Sequence, residues 1–347
     1  MSDYKLINAV APTRICDVGG WTDTWFARRG CVFNLAISPH VEVQVRCRKH
    51  TQEDPKILIR AENFNESYPL DPSHIVYGKH PLIEAAVAEM NWPEDLAITV
   101  NIYSNAPPGA SMGTSAAVSV ALIGALDALT EGRLSSPETA RLAHSLETEK
   151  LGLECGIQDQ LASAYGGANL IHMTEYPKAT VTPVHMPRDL FWELEQRLLL
   201  IYIGKPHNSS ETHRKVIADL GAEPHEDARL ERLRELALQA QSELSGGNFT
   251  GLGQVFQQNT QVQRELHPDL VCPAFEEIIA TAKDFGALGW KVNGAGGDGG
   301  SVAILTNPDM FRKRALEREL ISKNFQSLPI HLTQSGLRVW ELSADGE

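Results

Sequence analysis

The feature that most constrains this chain is the run Pro107-Pro108-Gly109-Ala110-Ser111-Met112-Gly113-Thr114-Ser115-Ala116-Ala117, where glycines and small hydroxyl residues lead straight into an Ala/Val-rich stretch. A turn of this composition, followed by a helix predicted over 114–129, exposes several backbone N–H groups beside the positive end of the helix dipole. That arrangement suits phosphate oxygens. Thr114 and Ser115 add hydroxyls for a phosphate or for a magnesium ion. A Walker A loop is excluded, because its Gly-Lys-Ser/Thr ending is missing. An N-capped, tightly packed helix accounts for the same residues, and spacing alone does not choose between the two.

On either side the pattern is mixed. Residues 32–45 alternate apolar and polar, with Val41, Val43 and Val45 on one face, and 97–103 is a second predicted strand. A helix over 137–151 places Ala140, Leu142, Ala143 and Leu146 at helical spacing. A strand over 197–203 opens the second half. An amphipathic helix follows over 227–244, with Leu230, Leu233, Ala237, Ala240 and Leu244 on its stripe, then helices near 250–265 and 274–285 and a strand over 301–305. Strands in clusters separated by helices predict an α+β fold and not a doubly wound parallel sheet. A chain of 347 residues accommodates two domains, divided here near 190 into 1–190 and 191–347.

Composition removes several functions. With 44 acidic against 31 basic residues the net charge is -13, which disfavours nucleic acid or an anionic membrane as main partner. No apolar run approaches a membrane span, and the start of the chain lacks the apolar stretch of a signal peptide. Cys16, Cys31, Cys47, Cys155 and Cys272 are scattered and odd in number, which predicts free thiols and a cytoplasmic location.

Further groups of residues carry possible chemistry. Gly294-Ala295-Gly296-Gly297-Asp298-Gly299-Gly300 formally contains G-x-G-x-x-G, but a strand follows it where the dinucleotide fingerprint needs a helix. A loop beside a ligand and a plain glycine-rich turn both remain open for it. Glu147 and Asp159 are two carboxylates that can divide phosphoryl transfer, one holding magnesium and the other taking the hydroxyl proton. Arg14, in a stretch of apolar and glycine residues, needs a carboxylate or phosphate partner. Asp23 can bond sugar hydroxyls, with Trp21 offering an apolar face. A purely structural Arg–Asp pair explains Arg14 equally well.

Taken together, residues 11–24, 107–117 and 291–300 resemble, in order and over nearly the whole chain, the three motifs of the GHMP kinases. The resemblance implies a two-domain GHMP kinase fold, its N-terminal domain like ribosomal protein S5 domain 2 and its C-terminal domain ferredoxin-like. ATP and a small sugar or sugar phosphate would lie between them, with Mg2+ as cofactor. Asp159 matches the catalytic aspartate and Arg14 the arginine that faces it. Glu147 and Ser115 match the magnesium ligands, and Pro108, Gly109, Ala110, Ser111, Met112, Gly113, Thr114, Ser115 and Ala116 the ATP-binding loop. Gly20, Trp21, Thr22, Asp23, Ser209, Gly296 and Gly297 are the implied substrate contacts.

Within the family, Gly19-Gly20-Trp21-Thr22-Asp23-Thr24 is more similar to fucokinase and heptose 7-phosphate kinase than to galactokinase. The implied activity is phosphorylation of the anomeric hydroxyl. Two other readings are a mevalonate- or phosphomevalonate-type kinase and a non-enzymatic sugar-binding descendant. A phosphate already on the sugar would draw on Arg28, Arg29, Lys205, His207 or Arg214. Asp298, in place of a family glycine, is expected either to turn outward or to meet a cation. Monomer and homodimer are equally compatible with the sequence.

Overall fold

The computed structural model describes residues 4–51, 55–205, 209–221 and 223–343. In chain order its first strands are β1 (Lys5–Val18), β2 (Gly30–Lys49), β3 (Ile57–Ala61), β4 (Glu66–Leu70), β5 (Leu96–Ser104), β6 (Ala168–Glu175) and β7 (Lys178–Pro183). The later strands are β8 (Leu198–Tyr202), β9 (Gly289–Val292), β10 (Ser301–Leu305), β11 (Gln326–Leu328), β12 (His331–Leu332) and β13 (Arg338–Ser343).

The alternating stretch read from the sequence is the second half of β2. Val41, Val43 and Val45 are buried on one face, as the period of two requires. β2 organises the larger sheet. Its second half pairs antiparallel with β5, its first half with β6, and β1 runs along its other side. The path through that sheet is β13-β1-β2-β5-β3-β4, with β3 parallel to β5. The smaller sheet, in the order β11-β8-β10-β9, is antiparallel throughout.

Helices α1 (Pro81–Glu89), α2 (Thr114–Asp127), α3 (Ser136–Ser145) and α4 (Gln158–Tyr165) share a core with one face of the larger sheet. α2 is sealed because its sequence is small and uncharged: every residue from Ser119 to Asp127 is buried. α3 starts on a capping box, in which Ser135 and Glu138 satisfy each other's free N–H groups. The second half of the chain adds α5 (Arg188–Arg197), α6 (Ser209–Leu220), α7 (Ala228–Ser245), α8 (Phe249–Leu266), α9 (Pro273–Asp284) and α10 (Met310–Ser322). The predicted stripe of α7 is fully buried, and with α8 it covers the other end of β1 and β2. Each such leucine contributes about 1.5–3 kcal/mol. α9 and α10 pack on the smaller sheet.

The α+β architecture is thus as expected. The division at 190 falls within α5, and the last strands return to the first sheet: β12 pairs with β2 and β13 with β1. One predicted helix is modified. The stretch 137–151 is regular only to Ser145 and then widens into a single π-helical turn, Leu146–Lys150. Such turns cluster at functional sites, and this one carries Glu147. No helix among the described residues is long and apolar enough to cross a membrane.

Candidate active site

A cavity of about 430 Å³ opens where the end of β1, the N-termini of α2 and α4, and the start of the 294–300 loop converge. Arg14, on β1 and only 4% exposed, forms its floor. The guanidinium donates through Nε to Asp159 Oδ1 at 2.7 Å and through Nη2 to Oδ2 at 3.1 Å. Nη1 donates to the Ser111 carbonyl, and the Arg14 backbone N–H to the Met112 carbonyl at 2.9 Å. One residue therefore fixes both the carboxylate and the small-residue loop. Burial alone would lower the Arg14 pKa, but Asp159, Asp17 and Asp23 outweigh it and hold the guanidinium charged.

Asp159 is the second residue of α4, where the helix dipole favours an anion. Its close approach to the loop depends on Gly113, which has φ +70°; a Cβ there would lie 3.1 Å from the Asp159 carboxyl carbon. Residues 109–116 line the cavity, and Ser115 is exposed at the first turn of α2. Glu147 faces the same space at 6% exposure and accepts a hydrogen bond from Gln160 Nε2 at 2.7 Å. Burial pushes its carboxyl up to about 7; the Gln160 bond opposes this and the Asp159 charge reinforces it.

Asp23 also lines the cavity, 2% exposed, and its Oδ2 accepts the Gln158 backbone N–H at 3.1 Å. It fits because residue 156 is glycine: a Cβ there would come within 2.1 Å of that oxygen. Burial pushes the Asp23 carboxyl up to about 6, partly offset by the Gln158 N–H. Trp21, beside it, stands edge-on to His213 of α6 with ring centroids 5.1 Å apart.

Not every predicted contact reaches the cavity. Pro108 turns away, its carbonyl accepting from the Tyr202 hydroxyl at 3.1 Å. Gly20 packs on the Asp17 carboxylate, and Thr22 spends its hydroxyl on the Gly19 carbonyl at 2.7 Å and the Cys31 N–H at 3.1 Å. Gly296 and Gly297 fold onto Leu270, with the Gly297 N–H bonded to its carbonyl at 3.1 Å. Gly294 and Ala295 line the cavity instead. Pro108, Gly20, Thr22, Gly296 and Gly297 shape the turns that carry the site and do not themselves line it. Ser209 opens α6 with its side chain outside those described, and His207 lies outside the described residues. Arg28 approaches His225 at 3.5 Å and Arg29 pairs with Glu231 at 3.0 Å, both off the cavity, as are Lys205 and Arg214. Asp298 is exposed, the outward alternative.

Sequence reasoning passed over Asp17, Lys291, Gln158 and His213. Asp17 and Lys291 are a wholly buried ion pair at 3.3 Å that joins β1 to β9. Asp17 also accepts the Gly294 N–H at 3.0 Å, which pins the start of the glycine-rich loop. Burial lowers the Lys291 pKa while Asp17 opposes it. Next to it, Asn293 accepts the Cys16 N–H at 2.9 Å and donates to Ser301 Oγ, which in turn donates to the Ala110 carbonyl at 2.7 Å. The available signal was a lone charge of each sign inside two apolar strands, since neither is stable buried without the other.

Residues 80–167 match the family profile "GHMP kinases N terminal domain" and residues 229–323 match "GHMP kinases C terminal", together more than half of the chain. The chain belongs to the GHMP kinase family. This GHMP kinase is 25% identical to the D-glycero-alpha-D-manno-heptose 7-phosphate kinase of Campylobacter jejuni, over 97% of this chain and 100% of that one. It is 26% identical to the bifunctional fucokinase/GDP-fucose pyrophosphorylase of Arabidopsis thaliana over 87% of this chain, which spans 30% of that longer protein. Its fold superposes on the crystal structure of a D-glycero-D-manno-heptose 1-phosphate kinase from Bacteriodes thetaiotaomicron with a TM-score of 0.77 at 22% identity, covering 97% and 99% of the two chains.

Glu147 makes the stability of the unliganded protein depend on pH. Its folded carboxyl sits near 7 against a usual 4.5, so folding favours the protonated form and stability falls as pH rises between those values. Glu147→Gln is expected to raise the thermal midpoint at pH 8 and to leave it unchanged at pH 4.5. An equal rise at both values would assign the gain to packing instead.

Proposed function

We propose that this GHMP kinase transfers the γ-phosphoryl group of ATP to the anomeric hydroxyl of a sugar or sugar phosphate, of the heptose 7-phosphate or fucose kind. The observation that carries this reading is the Arg14–Asp159 pair, set between the N–H-rich loop and the Asp23 wall. The loop N–H groups at the start of α2 hold the phosphates. Asp159 orients the acceptor hydroxyl and takes its proton as the oxygen–phosphorus bond forms and the bond to the leaving ADP oxygen breaks. Arg14 keeps Asp159 in place and stabilises charge on the transferring group.

Glu147 and Ser115 supply the hard oxygen ligands that magnesium prefers. The buried Glu147 carboxyl fits this role, because its ionised form has no cation partner among the described residues and would gain one on binding. Bound magnesium would offset phosphate charge. The five free cysteines support a reducing, cytoplasmic setting.

The test is coupled ADP release with magnesium-ATP against free sugars, hexose and heptose phosphates, and mevalonate, with the product phosphate located by NMR. Turnover of a sugar with phosphate on the anomeric carbon is expected. Turnover of mevalonate alone, or ATP binding without transfer to any of them, would overturn the reading.

A further inference from the structure

On the Asp23 wall of the cavity, two side chains each carry a buried polar atom that no described residue satisfies: Trp21 Nε1, a donor, and Gln158 Oε1, an acceptor. Both side chains line the cavity, at 5% and 6% exposure. Asp23 brings them together, since it shares the turn after β1 with Trp21 and its Oδ2 binds the Gln158 backbone N–H. Native proteins match nearly all buried polar groups, so an unmatched donor and an unmatched acceptor on two side chains that line one cavity point to a ligand that completes them. Trp21 is also held in place: His213 meets its ring at 84°, and Trp25 packs edge-on against the same histidine at 5.6 Å.

We propose that Gln158 and Trp21 form a hydroxyl-reading pair that sets acceptor specificity, Gln158 Oε1 accepting from one acceptor hydroxyl and Trp21 Nε1 donating to the oxygen of another. The inference rests on the sugar-kinase reading and deepens it. A neutral polyhydroxy ring supplies both functions, because each hydroxyl donates and accepts. A carboxylate has no proton to give Gln158 Oε1, so an acceptor that sets its carboxylate against this wall leaves that atom unmatched. Asp23, between the two, accepts from a further hydroxyl.

The test uses the best sugar from the substrate panel, its monodeoxy analogues, and the variants Gln158→Leu and Trp21→Phe. Each variant is expected to lower kcat/KM for the sugar roughly 10- to 100-fold, through KM, with the KM for ATP unchanged. Wild type should reject two deoxy analogues, and each variant should lose its penalty against one of them, a different one in each case. Penalties that persist unchanged in both variants would overturn the pair, leaving the atoms matched by water and the side chains merely structural. Absence of turnover of any sugar by wild type would instead overturn the sugar-kinase reading, and this inference with it.

Discussion

Asp159→Asn is expected to fold like wild type, bind magnesium-ATP, and lose turnover by about 10²- to 10⁴-fold, the usual range for a positioned acid or base. Asparagine has the same shape and keeps an oxygen for Arg14 Nε, which bonds Oδ1 at 2.7 Å. Arg14 also retains its bond to the Ser111 carbonyl and the attraction of the Asp17 and Asp23 charges. What disappears is the negative charge that accepts the hydroxyl proton, together with the Arg14 Nη2 bond to Oδ2. Steady-state ADP release alongside a thermal melt and an ATP titration separates the effects. Wild-type turnover in a folded variant would remove Asp159 from the chemistry.

The largest stability effect is expected at Lys291. Lys291→Met leaves Asp17 buried and without its cation, a loss of about 3–5 kcal/mol. The side chain is fully buried and also donates to Gln263 Oε1 at 3.3 Å, so the variant leaves that acceptor unmatched as well. Asp17→Asn combined with Lys291→Met is expected to recover much of that loss, because a matched neutral site is cheaper than a lone buried charge. Urea unfolding of wild type, the single variant and the double variant measures both. If Lys291→Met costs less than about 1 kcal/mol, the pair does not hold β1 to β9. Because Asp17 binds the Gly294 N–H, the single variant is also expected to loosen the glycine-rich loop.

Much of the site was legible before the fold was seen. The small-residue run announced a helix N-terminus, because few residues other than glycine, serine and threonine form so tight a turn beside a sealed helix. Arg14 inside an apolar stretch announced a buried partner, and the partner is Asp159, 145 residues away. The glycine-rich stretch 294–300 is followed by a strand, β10, and not by a helix, as its sequence context implies. Its middle was misplaced: Gly296 and Gly297 turn onto Leu270 and leave the cavity to Gly294 and Ala295. Composition marks a loop as tight, but it does not say which of its residues faces inward.

Pattern along the chain was sufficient where a property is local. Helix starts, strand alternation and the need of a buried charge for a counter-charge depend on neighbours within a turn or two, and the sequence by itself determined them. Tertiary structure alone decided which distant residues meet: Asp17 with Lys291, Asp23 with the Gln158 N–H, Trp21 with His213, and the return of β13 to β1. Those pairings follow from how two sheets and their helices close over one another. Many chain paths share the same local pattern, and only packing of the whole chain selects among them.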